Sequence, residues 1–144
     1  MIRKATPADI PAAVEIAIEA LSIDPYPNLV ISRERVFNIV RECISSATHF
    51  AWVSERDGKV VGGLGALVSD NPFHERKQAN VALWYCRHSG DGAALMRQFL
   101  RWCAGRPMVR VITYTGERGA DSRVGKLAKR CGLDDGLPLY LKVK

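Results

Sequence analysis

The residues with the clearest chemical potential are Arg87-His88-Ser89-Gly90-Asp91-Gly92. They stand between an apolar run ending at Cys86 and an amphipathic run that keeps Leu95, Met96, Phe99, Leu100 and Cys103 on one side. Strand, glycine-bearing turn, then helix is an arrangement that attracts anions. The first amides of a helix lack intrahelical acceptors, and the aligned peptide dipoles add partial positive charge there. Gly90 and Gly92 let a bulky anion approach the main chain, continuing into Ala93, and they permit positive φ. Arg87 adds a charge, Ser89 a hydroxyl, and His88 stands within reach of a phosphate. Asp91 is discordant, because a carboxylate repels phosphate, so its side chain is expected to point outward. A glycine pair before a helix is also an ordinary tight turn. No Gly-Lys-Ser/Thr closes the loop, which excludes a Walker loop, and the first glycine of a dinucleotide fingerprint is missing.

Nucleophilic and metal chemistry have less support. Cys43, Cys86, Cys103 and Cys131 are spread without a close pair, and none of the three histidines supplies ligand spacing. No metal site is expected. Reduced, mostly buried thiols are the expected state, and only its position speaks for Cys86 as a nucleophile.

The elements that must position this loop emerge from local signals. A short strand, Met1–Ala5, precedes Thr6-Pro7-Ala8-Asp9, a capping threonine with proline at the first helical position. Ile10, Ala13, Val14, Ala17 and Leu21 keep helical spacing to about Leu21. Ser22–Ile31 contains Pro25 and Pro27 and reads as a loop, and Ser32 caps a second helix ending near Ser46. His49–Glu55 and Lys59–Val68 read as strands around Asp57-Gly58, a good hairpin turn pair. Gly62, Gly63 and Gly65 in the second of these imply a bulge or a close approach. A polar loop, Asn71–Lys77, leads to the strand Ala79–Cys86, and the helix after the glycine loop leads to a strand at Val109–Tyr114. A helix near Asp121–Cys131 capped by Gly132 and a strand at Leu137–Val143 complete the order β-α-α-β-β-β-α-β-α-β. This order predicts one α/β domain over residues 1–144, a central mixed sheet with helices on both faces.

That order, with the loop, resembles the GNAT (GCN5-related N-acetyltransferase) superfamily over nearly the whole chain. Ile2-Arg3-Lys4-Ala5-Thr6-Pro7-Ala8-Asp9-Ile10 looks like the family's first strand and helix start. Arg87-x-x-Gly90-x-Gly92 matches the family's Arg/Gln-x-x-Gly-x-Gly/Ala pyrophosphate loop without a gap, and Ala93-Ala94-Leu95 continues as that helix usually does. Leu127-Ala128-Lys129-Arg130-Cys131-Gly132-Leu133 stands where the family has Leu-Tyr-x-Lys-x-Gly-Phe. The resemblance implies acetyl-CoA as co-substrate, with the pantetheine arm along Leu83, Trp84, Tyr85 and Cys86 and the pyrophosphate on the amides of Arg87–Ala93. Splaying of this strand from Val109–Tyr114 would make the slot for the thioester. It implies direct acetyl transfer to a primary amine. Two departures stand out: Ala128 replaces the tyrosine that commonly protonates the departing thiolate, and Trp84-Tyr85-Cys86 replaces a proline-containing stretch.

Candidates for the proton transfers are therefore Tyr114, which ends the strand beside the slot, Tyr85, and Glu75 with His74 in the loop before the cofactor strand. Each also has an ordinary reading as core aromatic or loop residue. Arg123, Lys126, Lys129 and Arg130 are candidates for the cofactor's 3′-phosphate or a solvated helix face. A non-catalytic CoA-binding or regulatory module on the same fold is the alternative reading.

Charge is uneven: residues 87–144 carry twelve Lys/Arg against five Asp/Glu, whereas residues 1–86 carry nine against ten. A basic half suits a phosphorylated cofactor or nucleic acid. No nucleic-acid motif or interleaved aromatic pattern accompanies it, so nucleic acid is not the expected partner. No apolar stretch is long enough to span a bilayer and residues 1–20 lack a signal-peptide plan, so a soluble, cytoplasmic protein without a membrane partner is expected. A homodimer is compatible with the sequence.

Overall fold

The computed structural model describes residues 1–23, 29–115, 122–136 and 142–144. The elements are β1 (Ile2–Lys4), a 3-10 turn (Pro7–Asp9) running into α1 (Ile10–Ile23), α2 (Arg33–Ser45), β2 (Phe50–Arg56), β3 (Lys59–Asp70), β4 (Lys77–Cys86), α3 (Asp91–Ala104), β5 (Val109–Tyr114) and α4 (Arg123–Arg130). The order agrees with the expected one through α4, and β5 has the expected bounds. The expected last strand falls mainly outside the described residues. The strands form one sheet in the order β1-β2-β3-β4-β5, antiparallel throughout except for the parallel pair β4–β5.

Local chemistry accounts for the joints. Asp57 (φ 52) and Gly58 (φ 72) are both left-handed, as a two-residue hairpin turn matching strand twist requires. The Ser32 hydroxyl accepts from the Arg35 amide at 3.3 Å and caps α2. Gly132, at φ 106, ends the turn after α4.

Alternation along the strands divides the core between two faces. On one face Phe50, Leu64, Ala66 and Ala79 meet Leu95, Met96, Phe99 and Cys103 of α3. The Phe50 ring lies 5.2 Å from Phe99 and 5.4 Å from Trp102. On the other face α1 and α2 contribute buried Val14, Ile16, Ala17 and Cys43. Helices thus cover both faces, as expected. The close approach that the β3 glycines implied is to the neighbouring strand: a Cβ on Gly62 would stand 2.5 Å from Cys86 Sγ and 2.8 Å from the Tyr85 carbonyl oxygen.

Asp9 ties β1 to the start of α1. Its carboxylate accepts from Arg3 at 2.8 and 2.9 Å and from the Thr6 amide at 2.8 Å, while Arg3 also donates to Glu55 at 2.7 Å. Asp9 is only 7% exposed. The Arg3 guanidinium, then the Thr6 bonds, hold its carboxyl down to about 2 against the desolvation that opposes them. Asp9→Ala takes one of two carboxylate partners from Arg3, which keeps Glu55, and removes a helix-start acceptor, so a loss of about 1–2 kcal/mol is expected from denaturant titration. Because the native pKa is depressed, the stabilisation is present above roughly pH 4 and is lost as pH falls toward 2. The Asp9→Ala variant should lack that part of the acid dependence.

Candidate functional site

The β4–β5 ladder runs from Lys77 opposite Val109 to Val81 opposite Tyr114 and stops there. Among the described residues, Ala82–Cys86 have no strand partner on that side. A bulge coincides with the parting: Gly65 pairs with Leu83 and Ala66 with Val81, leaving Ala82 as the extra residue on β4. A bulge bends its strand and re-aims the residues beyond it. β5 itself ends at Tyr114, so the last five residues of β4 run on past it.

The loop after β4 leads into α3. Arg87 donates its amide to the Val61 carbonyl at 3.0 Å, which anchors the loop to β3. Gly90, at φ 94, turns the chain into α3 and is its N-cap. The first amides of α3, from Asp91 onward, have no carbonyl four residues back within the helix. Gly92 does not have the positive φ of Gly90. A Cβ there would lie 3.5 Å from Trp84 Nε1 and 3.8 Å from Leu127, and the Trp84 indole N–H donates to the Gly92 carbonyl at 2.9 Å. A Cβ at Gly92 would make only ordinary contacts, and Gly90 supplies the unusual backbone.

Asp91 does not point outward. Its carboxylate turns back to β2, accepting from fully buried Ser54 at 2.6 Å and from Arg56 at 3.1 Å on each oxygen. Arg56, then Ser54, lowers its pKa, so it stays ionised and charge-compensated instead of facing the loop as a lone anion. Arg87 also has a partner the sequence did not show. Its Nε and Nη2 donate to Glu19 of α1 at 2.8 and 2.6 Å, and Tyr85 donates its hydroxyl to the same carboxylate at 2.9 Å. The Arg87 contact, then the Tyr85 bond, lowers the Glu19 pKa. Burial, then the Glu19 carboxylate, raises that of Tyr85. His88 and Ser89 are exposed.

The two candidate tyrosines lie on opposite faces of the sheet. Tyr85 pairs with Gly63 and reaches Glu19 on the α1 side. Tyr114 packs edge-on against Trp84, ring centroids 5.3 Å apart, on the α3 side. Glu75 and His74 are not part of this cluster. They stand before the first residue of β4, and the ten-residue strand separates them from the glycine loop by about 30 Å. Ala128 is buried at 7% exposure, and Arg123, Lys126, Lys129 and Arg130 are exposed on α4.

Cys86 borders the loop, but burial, followed by the Asp91 charge, pushes its thiol up to about 12. At pH 8 the thiolate fraction is on the order of one part in 10⁴. Cys86 should resist iodoacetamide at pH 8 in the folded protein and react fully in denaturant, and no acetyl adduct should appear by intact mass after mixing with acetyl-CoA. A stoichiometric adduct that turns over when amine is added would overturn direct transfer.

Sequence reasoning misses Glu19, Ser54 and Arg56 as site residues, although signals for two of them are present. Glu19 stands three helical positions after buried Ile16, and Ser54 shares the strand parity of Phe50 and Trp52. A polar residue at an inward position needs a partner.

No protein-family model matches the chain, and no curated protein matches it. Solved structures do. A predicted acetyltransferase with acetyl-CoA from Clostridium acetobutylicum is similar with a TM-score of 0.78 at 17% identity, over 100% of this chain and 95% of that one. An aminoglycoside acetyltransferase from an uncultured soil metagenomic sample, in complex with sisomicin, gives a TM-score of 0.68 at 15% identity, over 100% and 96%. AAC(6′)-Iy with the bisubstrate analogue CoA-S-monomethyl-acetylneamine gives 0.72 at 12% identity, over 100% and 97%. The chain has the fold of these proteins, and the resemblance to the GNAT superfamily holds for the fold. No helix of the described residues is long and apolar enough to cross a membrane.

Proposed function

We propose that this GNAT-fold chain is an acetyl-CoA-dependent N-acetyltransferase that acts on a primary amine by direct attack. The observation that carries the proposal is the segment Ala82–Cys86, which has no partner on its β5 side among the described residues and leads into a glycine loop at a helix N-terminus. In this reading the pantetheine arm adds to the open edge of β4 as a strand would, through main-chain hydrogen bonds. The pyrophosphate rests on the amides of Arg87–Ala93, where Gly90 sets the turn. Arg87, now held by Glu19, is within the same loop and adds charge to the phosphates as it exchanges partners. Arg56 compensates Asp91 and so removes the repulsion that a lone carboxylate would exert.

The chemistry asks the chain for position and two proton transfers. The amine nitrogen bonds to the thioester carbonyl carbon, the C–S bond breaks, the amine loses a proton and the sulfur gains one. Backbone N–H groups of β4 polarise the carbonyl, and alignment supplies much of the rate. On the α3 side Tyr114 is the proposed proton donor to sulfur. On the α1 side Tyr85, bonded to Glu19, is the proposed path for the amine proton. The four free thiols suit a reducing compartment, and the reading places the enzyme in the cytoplasm.

Incubation with acetyl-CoA and a panel of primary amines, with detection of free-thiol release, tests the proposal. Amine-dependent thiol release is expected. CoA binding without release for any amine would favour the second reading, a non-catalytic CoA-binding module. Buried Ala128, at the position where the family commonly has a tyrosine, is the observation that favours that reading.

A further inference from the structure

A cleft of about 50 Å³, partly open to solvent, lies between the α1–α2 layer and the sheet, with Ala13, Ile16, Val40, Cys43, Gly65 and Leu83 in its wall. Three features bear on what it holds. Its lining carries no charged side chain, and burial holds the one thiol, Cys43, protonated by raising it to about 12. Its depth comes from β3: Gly63 and Gly65 are cross-strand partners of Tyr85 and Leu83, on the α1 side, and contribute no side chains there. It borders the end of β4, because Ala82, the bulged residue, and Leu83 belong both to its wall and to the segment that runs past β5.

We infer that the cleft receives an aliphatic acyl chain longer than acetyl, carried on the thioester. This rests on the proposed binding of CoA along β4. A cationic amine acceptor would need a carboxylate in the wall, since a buried ammonium without a partner is costly, and none is there. A methylene chain needs only apolar contact. Ala82 and Leu83 of the β4 segment that would hold the thioester carbonyl line the cleft, so a chain leaving that carbonyl toward α1 and α2 would enter it.

Calorimetric titration with CoA, acetyl-CoA, butyryl-CoA and hexanoyl-CoA tests the inference without any acceptor. Each methylene that leaves water adds to affinity, so hexanoyl-CoA should bind at least about 10-fold more tightly than acetyl-CoA. Gly65→Ala puts a Cβ into the wall at 3.4 Å from Cys43 Sγ, a contact the strand tolerates. That variant, and independently Ala13→Val from the helix side, should shrink the hexanoyl advantage and leave CoA affinity unchanged. If CoA and acetyl-CoA bind and the longer chains bind no better, the cleft is not an acyl site, while the proposed cofactor placement stands. A chain-length advantage that both folded variants retain in full also overturns the inference. If none of the thioesters and not CoA itself binds, the inference falls together with the acetyltransferase reading.

Discussion

Gly90→Val is expected to weaken CoA binding by roughly 10²-fold while the protein stays folded. Gly90 is at φ 94, and a Cβ there would meet nothing within 4 Å. The substitution therefore creates no clash; its cost is backbone strain. A β-branched residue strongly disfavours that region, so the loop relaxes toward negative φ or retains strain of about 1–2 kcal/mol. Relaxation redirects the amides that lead into α3. If two amide–phosphate bonds are lost, each a charge-assisted contact of about 1.5 kcal/mol or more, the affinity falls by about two orders of magnitude. Gly92 is a poorer position for this experiment. A bulky residue there would press on Trp84 and Leu127, and a loss of binding would result from displaced packing as readily as from a lost phosphate site. The measurement is the CoA-dependent rise in melting temperature, together with the melting temperature of the free variant. An unchanged CoA-dependent rise in Gly90→Val would sink the placement of the pyrophosphate.

The loop illustrates how much a sequence reveals. The order of elements is legible because each carries a local signal: the Asp57-Gly58 turn, the Ser32 cap, the period change at His49 and the glycine after α4. The site's backbone is legible for the same reason, since a glycine turn between a strand and a helix is a local arrangement. The side-chain partners are not. Asp91 as a helix-start residue suggests an outward carboxylate, but its direction is decided by Ser54 and Arg56, more than thirty residues earlier, which only sheet pairing brings to the α3 N-terminus. Arg87 reads as a free charge in the sequence because Glu19 is 68 residues away. Glu75 reads as near the slot because it precedes the cofactor strand. The length of β4 separates it from the loop, and a loop leading into a strand lies at the opposite end from the loop leaving it. Bulge placement is half legible: β3 glycines point to irregular pairing, yet the extra residue is Ala82 on β4, where no special residue type marks it.

The proton donor to the departing sulfur is where the sequence departure matters most, and Tyr114→Phe is expected to lower turnover by roughly 10²-fold. Ala128 has no ionisable group, and it is buried against its neighbours, so α4 offers no acid at that position. Tyr114 ends β5 at the point where the ladder with β4 stops, and it lies on the α3 side, the side on which α4 packs. Its ring stands edge-on to Trp84, a contact that phenylalanine keeps, so the variant changes the hydroxyl with little change in packing. The Michaelis constant for acetyl-CoA should therefore stay near its wild-type value while kcat falls. That split separates proton donation from a structural role, which would move binding instead. A thiol of pKa about 8.5 departs moderately well without an acid, which bounds the effect and explains how the fold can work without the α4 tyrosine. Full turnover in Tyr114→Phe on an accepted amine would reduce Tyr114 to packing and leave water, or Tyr140 outside the described residues, as the donor. If that tyrosine is also dispensable and no amine is acetylated while CoA still binds, Ala128 marks a chain that has kept the cofactor slot without the transfer.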